Sequence, residues 1–299
     1  MPQSSEILIN LLNSMIKSSL ISDDSRILFV DDGSSDNTWN IISELADLKK
    51  VCAIKLAANA GHQNALLAGL EYSVKYADMM ITIDADLQDD INAIPQMVQK
   101  FNNGIDVVYG VRRERKTDSW FKRNTALCFY KLMQKLGVKS VFNHADFRLM
   151  SKRSVMSLLQ FGERNLFLRG LVPLVGYPTD YVYYNRSARM AGESKYPLRK
   201  MLNFAVDGIT SFSVKPVRMV LSIGLIFVLI AICIFVYTLA SYLNGKAISG
   251  WASIILSIWF IGGCILIGLG IIGEYIGKIY IEVKRRPRFI IEKYLGNDN

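Results

Sequence analysis

The stretch Arg26-Ile27-Leu28-Phe29-Val30-Asp31-Asp32-Gly33-Ser34-Ser35-Asp36-Asn37-Thr38 runs an apolar, β-branched segment straight into paired carboxylates, a glycine and small hydroxylated residues. It reads as a strand that opens into a turn before the next helix. Outward from it the pattern alternates. Strands are expected over 26–30, 51–56, 79–83 and 107–109, and between them 41–46, 63–76 and 94–101 carry apolar residues at helical spacing, for instance Leu66, Leu67, Leu70 and Val74. A further apolar stripe over 7–20 (Ile7, Leu8, Leu11, Leu12, Met15, Ile16) predicts a first helix. Alternation of this kind implies an α/β domain with a mostly parallel sheet covered by helices. Ligands in such sheets sit outside the carboxyl ends of the strands, so chemistry is expected directly after each strand.

Two strand ends carry acid clusters. In the first, the plainer reading makes Asp36 or Ser35 an N-cap and Gly33 a turn residue. The second is Ile83-Asp84-Ala85-Asp86-Leu87-Gln88-Asp89-Asp90. Here Asp84 and Asp86, one residue apart at a strand exit, can place oxygens on a common side and hold a hard divalent cation, with Gln88 adding a neutral oxygen. A solvated acidic loop is the alternative for this string taken alone.

Residues 219–243 and 251–273 contain no Asp, Glu, Lys or Arg through 243 and 273 respectively. At about 1.5 Å per residue each exceeds the ~30 Å hydrocarbon core, so both read as transmembrane helices rather than buried core helices. The connector 244–249 allows only a tight hairpin and carries Lys246 alone, whereas Lys195, Arg199, Lys200, Lys215 and Arg218 precede the first run and Lys284, Arg285, Arg286 and Arg288 follow the second. By the positive-inside rule both outer ends, and the large domain, are expected in the cytoplasm. No charged segment with a cleavage site opens the chain, so export by a cleaved signal peptide is not expected.

The formal net charge of +9 fits anionic lipid headgroups and a phosphate-bearing substrate better than nucleic acid, for which no motif with interleaved aromatics is present. Cys52, Cys128, Cys233 and Cys264 are scattered, which indicates neither a zinc site nor a disulfide framework. Residues 197–213 place Leu198, Met201, Leu202, Ala205, Ile209 and Phe212 on one face beside Arg199 and Lys200, the pattern of a helix lying in the membrane interface or of an amphipathic core helix. The organisation expected is a domain at 1–196, an interfacial helix at 197–216, spans at 217–243 and 251–273, and a basic cytoplasmic tail at 274–299.

With the string 31–38, Asn59-Ala60-Gly61-His62-Gln63, Asp84 to Asp89, Asp146-Phe147-Arg148-Leu149, Leu168-Arg169-Gly170-Leu171 and Gly192-Glu193-Ser194-Lys195-Tyr196 in this order, the chain resembles family 2 glycosyltransferases of the GT-A fold. More closely it resembles their membrane-bound polyprenyl-phosphate branch. The resemblance implies a nucleotide held by Asp31, Asp32, Asn59, Gly61, His62 and Asp84, and a Mg²⁺ or Mn²⁺ ion at Asp84, Asp86 and Gln88. It implies catalytic roles for Asp84, Asp86, Asp146 and Arg148, and contacts to acceptor phosphate from Arg112, Arg123 and Lys195. The implied partners are a nucleotide-diphosphate sugar (a UDP-sugar before GDP-mannose), a polyprenyl phosphate and the bilayer of a bacterial plasma membrane, and a homo-oligomer is compatible. Relatives begin with an apolar strand ending in a Pro-x-Tyr-Asn-Glu-like string, whereas Met1-Pro2-Gln3-Ser4-Ser5 leads directly into the first helix. A neighbouring strand is then expected to lack a partner on one side and nucleotide affinity to be weakened.

The expected reaction is inverting attack of the lipid phosphate on the anomeric carbon. The acceptor is already an anion, so it needs positioning more than deprotonation. Asp146 is read as orienting the acceptor arginines, as a weak base, or as an ion-pair partner of Arg148 or Arg153. His62 is read as a helix cap, a diphosphate contact or a surface residue. Two other classes compete: a catalytically impaired membrane scaffold, and a processive polysaccharide synthase, which would need a multi-helix channel and usually a Gln-x-x-Arg-Trp string.

Overall fold

The computed structural model describes residues 2–48, 50–113, 144–164, 166–185, 215–243 and 250–296. Arg123, Cys128, Lys195, most of the expected interfacial helix (197–214) and the connector 244–249 lie outside the described residues. The described residues fall into two compact units, one drawn from residues up to 113, 144–185 and those from 285 onward, the other from 215–284.

The first unit opens with helix α1 (Pro2–Lys17), followed by β1 (Ile27–Asp31), α2 (Thr38–Ala46), β2 (Val51–Leu56), α3 (His62–Ser73), β3 (Met79–Thr82), α4 (Ile94–Asn102) and β4 (Val107–Arg112). The expected elements are all present, with boundaries moved by a few residues. After residue 143 come β5 (His144–Ser151), α5 (Lys152–Leu159), the single turn α6 (Leu168–Leu171) and β6 (Thr179–Tyr184), and β7 (Ile291–Leu295) joins from the far end of the chain.

The strands form two sheets, ordered β1-β2-β7 and β3-β5-β4-β6. Only β1/β2 and β4/β6 pair in parallel, while β2/β7, β3/β5 and β4/β5 are antiparallel. The expectation of a mostly parallel sheet is therefore corrected to a mixed one. The physical reason is that β5 enters between β3 and β4 in the opposite direction, and β7 caps β2 the same way. Among the described residues β1 is hydrogen-bonded to β2 alone and β3 to β5 alone.

Burial explains why each element settles where it does. Successive residues of β1 point to opposite faces, so Phe29 packs with Ile42 of α2 and with Val51 and Ala53, while Leu28 and Val30 meet Ala65 and Ala68 of α3 on the other side. The second sheet buries Val108, Phe147, Leu149 and Val182 against Met97 and Val98 of α4 and Met15 of α1. Each such side chain contributes roughly 1.5–3 kcal/mol of burial.

The second unit consists of α7 (Lys215–Leu243) and α8 (Trp251–Lys284). Phe227 meets Phe260 edge-on with ring centroids 5.6 Å apart, and Val220 lies against Gly268, so the two helices run antiparallel. Leu229, Ile230, Ile265 and Leu266 are exposed. Among the described residues one stretch, Phe260–Lys284, is long and apolar enough to cross a membrane. Helix α8 continues past residue 273, and the segment expected as a basic tail ends in β7.

One glycine governs the geometry next to the site. The β4/β5 register shifts between Tyr109 and Val111, a bulge centred on Gly110, where an added Cβ would lie 2.6 Å from Phe147 Cδ1 and 3.0 Å from Tyr184 Cε1. Bulges re-aim the residues that follow them, here Arg112. We expect Gly110→Ala to destabilise the protein by about 1–3 kcal/mol through overpacking, read as a lower urea midpoint of the detergent-solubilised chain. An unchanged midpoint would show that Phe147 and Tyr184 yield freely.

Candidate active site

The carboxyl end of β1 is locked to the loop after β2. Asp32 accepts hydrogen bonds from the backbone N–H groups of Ala60 (2.7 Å) and Gly61 (3.0 Å). Gly33 has φ +68°, and a Cβ there would sit 2.6 Å from the Ala58 backbone, so only glycine allows the two loops to meet this closely. Asp31 is buried and accepts from Ser34 N–H and Oγ. The paired acids thus build the loop that carries exposed Asn59 and delivers His62 to the start of α3.

At the exit of β3, Leu87 N–H donates to Asp84 O at 3.1 Å and Leu87 adopts φ +46°. A left-handed conformation costs a non-glycine residue about 1–2 kcal/mol, and strain of this kind concentrates where a turn presents functional groups. Asp86 is exposed and accepts from Gln88 N–H at 3.3 Å. Gln88 itself is buried. Burial pushes the Asp84 carboxyl above its ordinary value; His62 opposes this, while Asp146, Asp89 and Asp86 add to it.

Strand β5 brings Asp146 and Arg148 into the same place. Arg148 Nη2 donates to Asp146 Oδ1 at 2.6 Å, Arg169 Nη2 donates to Oδ2 at 3.0 Å, and His62 Nε2 lies 3.3 Å from Oδ2 and 3.6 Å from Asp84 Oδ1. Burial alone would raise the Asp146 carboxyl, but the His62 hydrogen bond and the two guanidinium charges outweigh it and hold Asp146 well below the usual carboxylate range. The same hydrogen bond raises His62 above its ordinary value, against burial. Of the two ion-pair partners considered for Asp146, Arg148 is the one found; Arg153 instead pairs with Asp106. A buried ion pair persists only where good geometry offsets desolvation.

Arg112, the last residue of β4, donates through Nε (3.1 Å) and Nη2 (2.9 Å) to buried Asp89 Oδ1. Sequence reasoning had not placed Asp89, Arg169 or Tyr184 in the site. Asp89 was visible as part of an acid run, and Arg169 as part of a motif, but their partners lie 23 residues away in each case. No local spacing signals a contact at that range.

The donor set suits a divalent cation. Two carboxylates one residue apart, one of them pushed up by burial and then by the negative charge around it, match the way Mg²⁺ takes one or two protein carboxylates and completes its shell with substrate phosphates and water. Among the described residues no group of three His, Cys, Asp or Glu converges on one point, so the protein would supply only part of that shell.

Residues 3–159 match Glycosyl transferase family 2. The chain is 52% identical over 297 residues to the uncharacterized glycosyltransferase YkoT of Bacillus subtilis (strain 168), covering 99% of this chain and 88% of that protein. It is 42% identical over 274 residues to the prophage bactoprenol glucosyl transferase homolog of Escherichia coli (strain K12), covering 90% and 88% of the two chains. With the bactoprenol glucosyl transferase of Shigella phage SfII it shares 43% identity over 279 residues, covering 91% and 89%. An Asp-rich strand edge of this geometry and matches of this extent agree: the chain belongs to glycosyl transferase family 2, with polyprenyl-phosphate glycosyltransferases among its relatives.

Proposed function

We propose that the chain transfers a glycosyl group from a nucleotide-diphosphate sugar to a polyprenyl phosphate at a membrane surface, with inversion at the anomeric carbon. Glucose is the sugar favoured by the glucosyl transferases it resembles, and a UDP-sugar is the donor favoured. The observation that carries this reading is a chain of contacts that links the ends of β1 and β3 to β5: Asp32 to Gly61 at 3.0 Å, His62 to Asp84 at 3.6 Å, and His62 to Asp146 at 3.3 Å.

In this reading Asp32 fixes the loop that presents Asn59 and Gly61 to the nucleotide, and His62 faces the diphosphate. Asp84 and Asp86 hold Mg²⁺ or Mn²⁺, which when bound supplies Lewis-acid neutralisation of the departing nucleoside diphosphate. Asp146 has too little proton affinity to serve as a base, because His62, Arg148 and Arg169 hold it ionised. It orients those side chains instead. An acceptor phosphate is already anionic, so the arginines need only align it, and guanidinium matches phosphate oxygens two at a time. Arg112, Arg123 and Lys195 take that role. Helices α7 and α8 are read as a two-span hairpin, and the basic residues flanking it favour a cytoplasmic catalytic domain.

Membranes carrying the protein, supplied with polyprenyl phosphate and a panel of radiolabelled nucleotide sugars, should move label from UDP-glucose into the lipid phase. Nucleotide binding without lipid labelling from any donor would favour the impaired scaffold. Asp86→Ala should lower transfer by on the order of 100-fold or more, the equivalent of several kcal/mol of lost charge stabilisation. Wild-type turnover by that variant in chelator-treated, Mn²⁺-supplemented membranes would remove the metal assignment.

A further inference from the structure

A carboxylate sits buried beneath the arginine assigned to the acceptor. Asp89 has a side-chain exposure of 1%, against 25% for Arg112. Taking an ion out of water is costly unless it is well paired, so its position calls for a partner. Three donors meet on its Oδ1: Arg112 Nε at 3.1 Å, Arg112 Nη2 at 2.9 Å and Tyr184 Oη at 2.6 Å. Arg112 Nε also lies 3.3 Å from Tyr184 Oη. Two nitrogens of one guanidinium on one fixed anion define its plane and its direction.

The anchor is itself held by the fold. Tyr184 is paired with Arg112 in the β4/β6 register, and its ring packs edge-on against Phe147 with centroids 5.4 Å apart. Both rings occupy the space that Gly110 leaves open. Asp89 belongs to the same turn as Asp84 and Asp86. One backbone turn therefore reaches the donor's diphosphate through its first two acids and the acceptor's arginine through its last.

We infer that Asp89 and Tyr184 are positioning residues that aim the Arg112 guanidinium at the acceptor phosphate, so that the acidic turn after β3 sets the donor and acceptor subsites against each other. This rests on the reading of Arg112 as an acceptor contact. Asp89 and Tyr184 touch Arg112, and their effect on the reaction runs through it.

The test uses the full chain in detergent, with UDP affinity by calorimetry and, separately, KM for a short water-soluble prenyl phosphate and for UDP-glucose. Asp89→Asn should raise the acceptor KM about tenfold, the scale of one weakened hydrogen bond to a charged group, with UDP affinity and donor KM unchanged. Tyr184→Phe should do the same to a smaller extent. In an Arg112→Ala background, which raises the acceptor KM by itself, Asp89→Asn should add nothing. Equal losses for donor and acceptor, or a loss of thermal stability with both KM values intact, would make Asp89–Arg112 a structural ion pair and overturn the inference. A raised Mn²⁺ requirement in Asp89→Asn would overturn it too, by making Asp89 a metal ligand. If Arg112→Ala raises the acceptor KM and Asp89→Asn does not, the positioning role fails while the acceptor reading stands. If Arg112→Ala leaves the acceptor KM unchanged, the acceptor reading fails and the positioning role falls with it.

Discussion

A carboxylate enclosed by two guanidinium groups and an imidazole holds the edge of the candidate site together. Asp146 joins β5, through Arg148, to the start of α3, through His62, and to the short helix α6, through Arg169. Its own strand is the one that pairs with both β3 and β4. Without β5 the four-stranded sheet has no centre, and without the cluster β5 would carry a buried aspartate and a buried arginine unpaired. Removing one partner of such a pair costs about 3–5 kcal/mol, more than the pair itself contributes relative to an apolar core. The arrangement is accordingly all or none, and a sheet strand and a buried acid of the candidate site are constrained by the same contacts.

The same cluster separates the acids of the site by environment. Asp146 and Asp89 are each buried against an arginine. Asp84 has half-exposed His62 beside it and three other carboxylates around it. Similar side chains a few residues or one strand apart thereby sit in different environments, one kind paired with guanidinium groups and the other surrounded by like charge.

The four strands that open the domain were legible because each is a short apolar run closed by turn residues, and the acids at their ends pointed to the edge where the site lies. Strand β5 was not legible as a strand. Its sequence His144-Ala145-Asp146-Phe147-Arg148-Leu149 alternates charge with apolar residues, which by pattern reads as one wet face and one dry face. Both faces are dry, since Asp146 and Arg148 are as buried as Phe147 and Leu149. Periodicity registers a polar residue but not the distant counter-ion that lets it be buried. His62, 84 residues from Asp146, and Arg169 are such counter-ions. The antiparallel pairings were missed for a related reason: β7 follows two long apolar helices and a basic run, where charge near a membrane was the stronger signal.

Strand β7 has a consequence for how the protein is made. It completes the outer edge of the sheet that holds Asp31 and Asp32, pairing with β2 across more than 230 residues of sequence, from Ala53↔Leu295 to Leu56↔Ile291. Its first residue pairs with the last residue of β2, Leu56, and just beyond that pair Ala57 N–H donates to Ile290 O at 2.8 Å. During synthesis β2 leaves the ribosome long before β7 exists, and both apolar helices are made in between. An open strand edge is a template for wrong pairing, and contacts so far apart in sequence form late. The sheet that holds Asp31 and Asp32 is thus left unfinished while both apolar helices are made, and closes only once the chain has returned from the apolar segments.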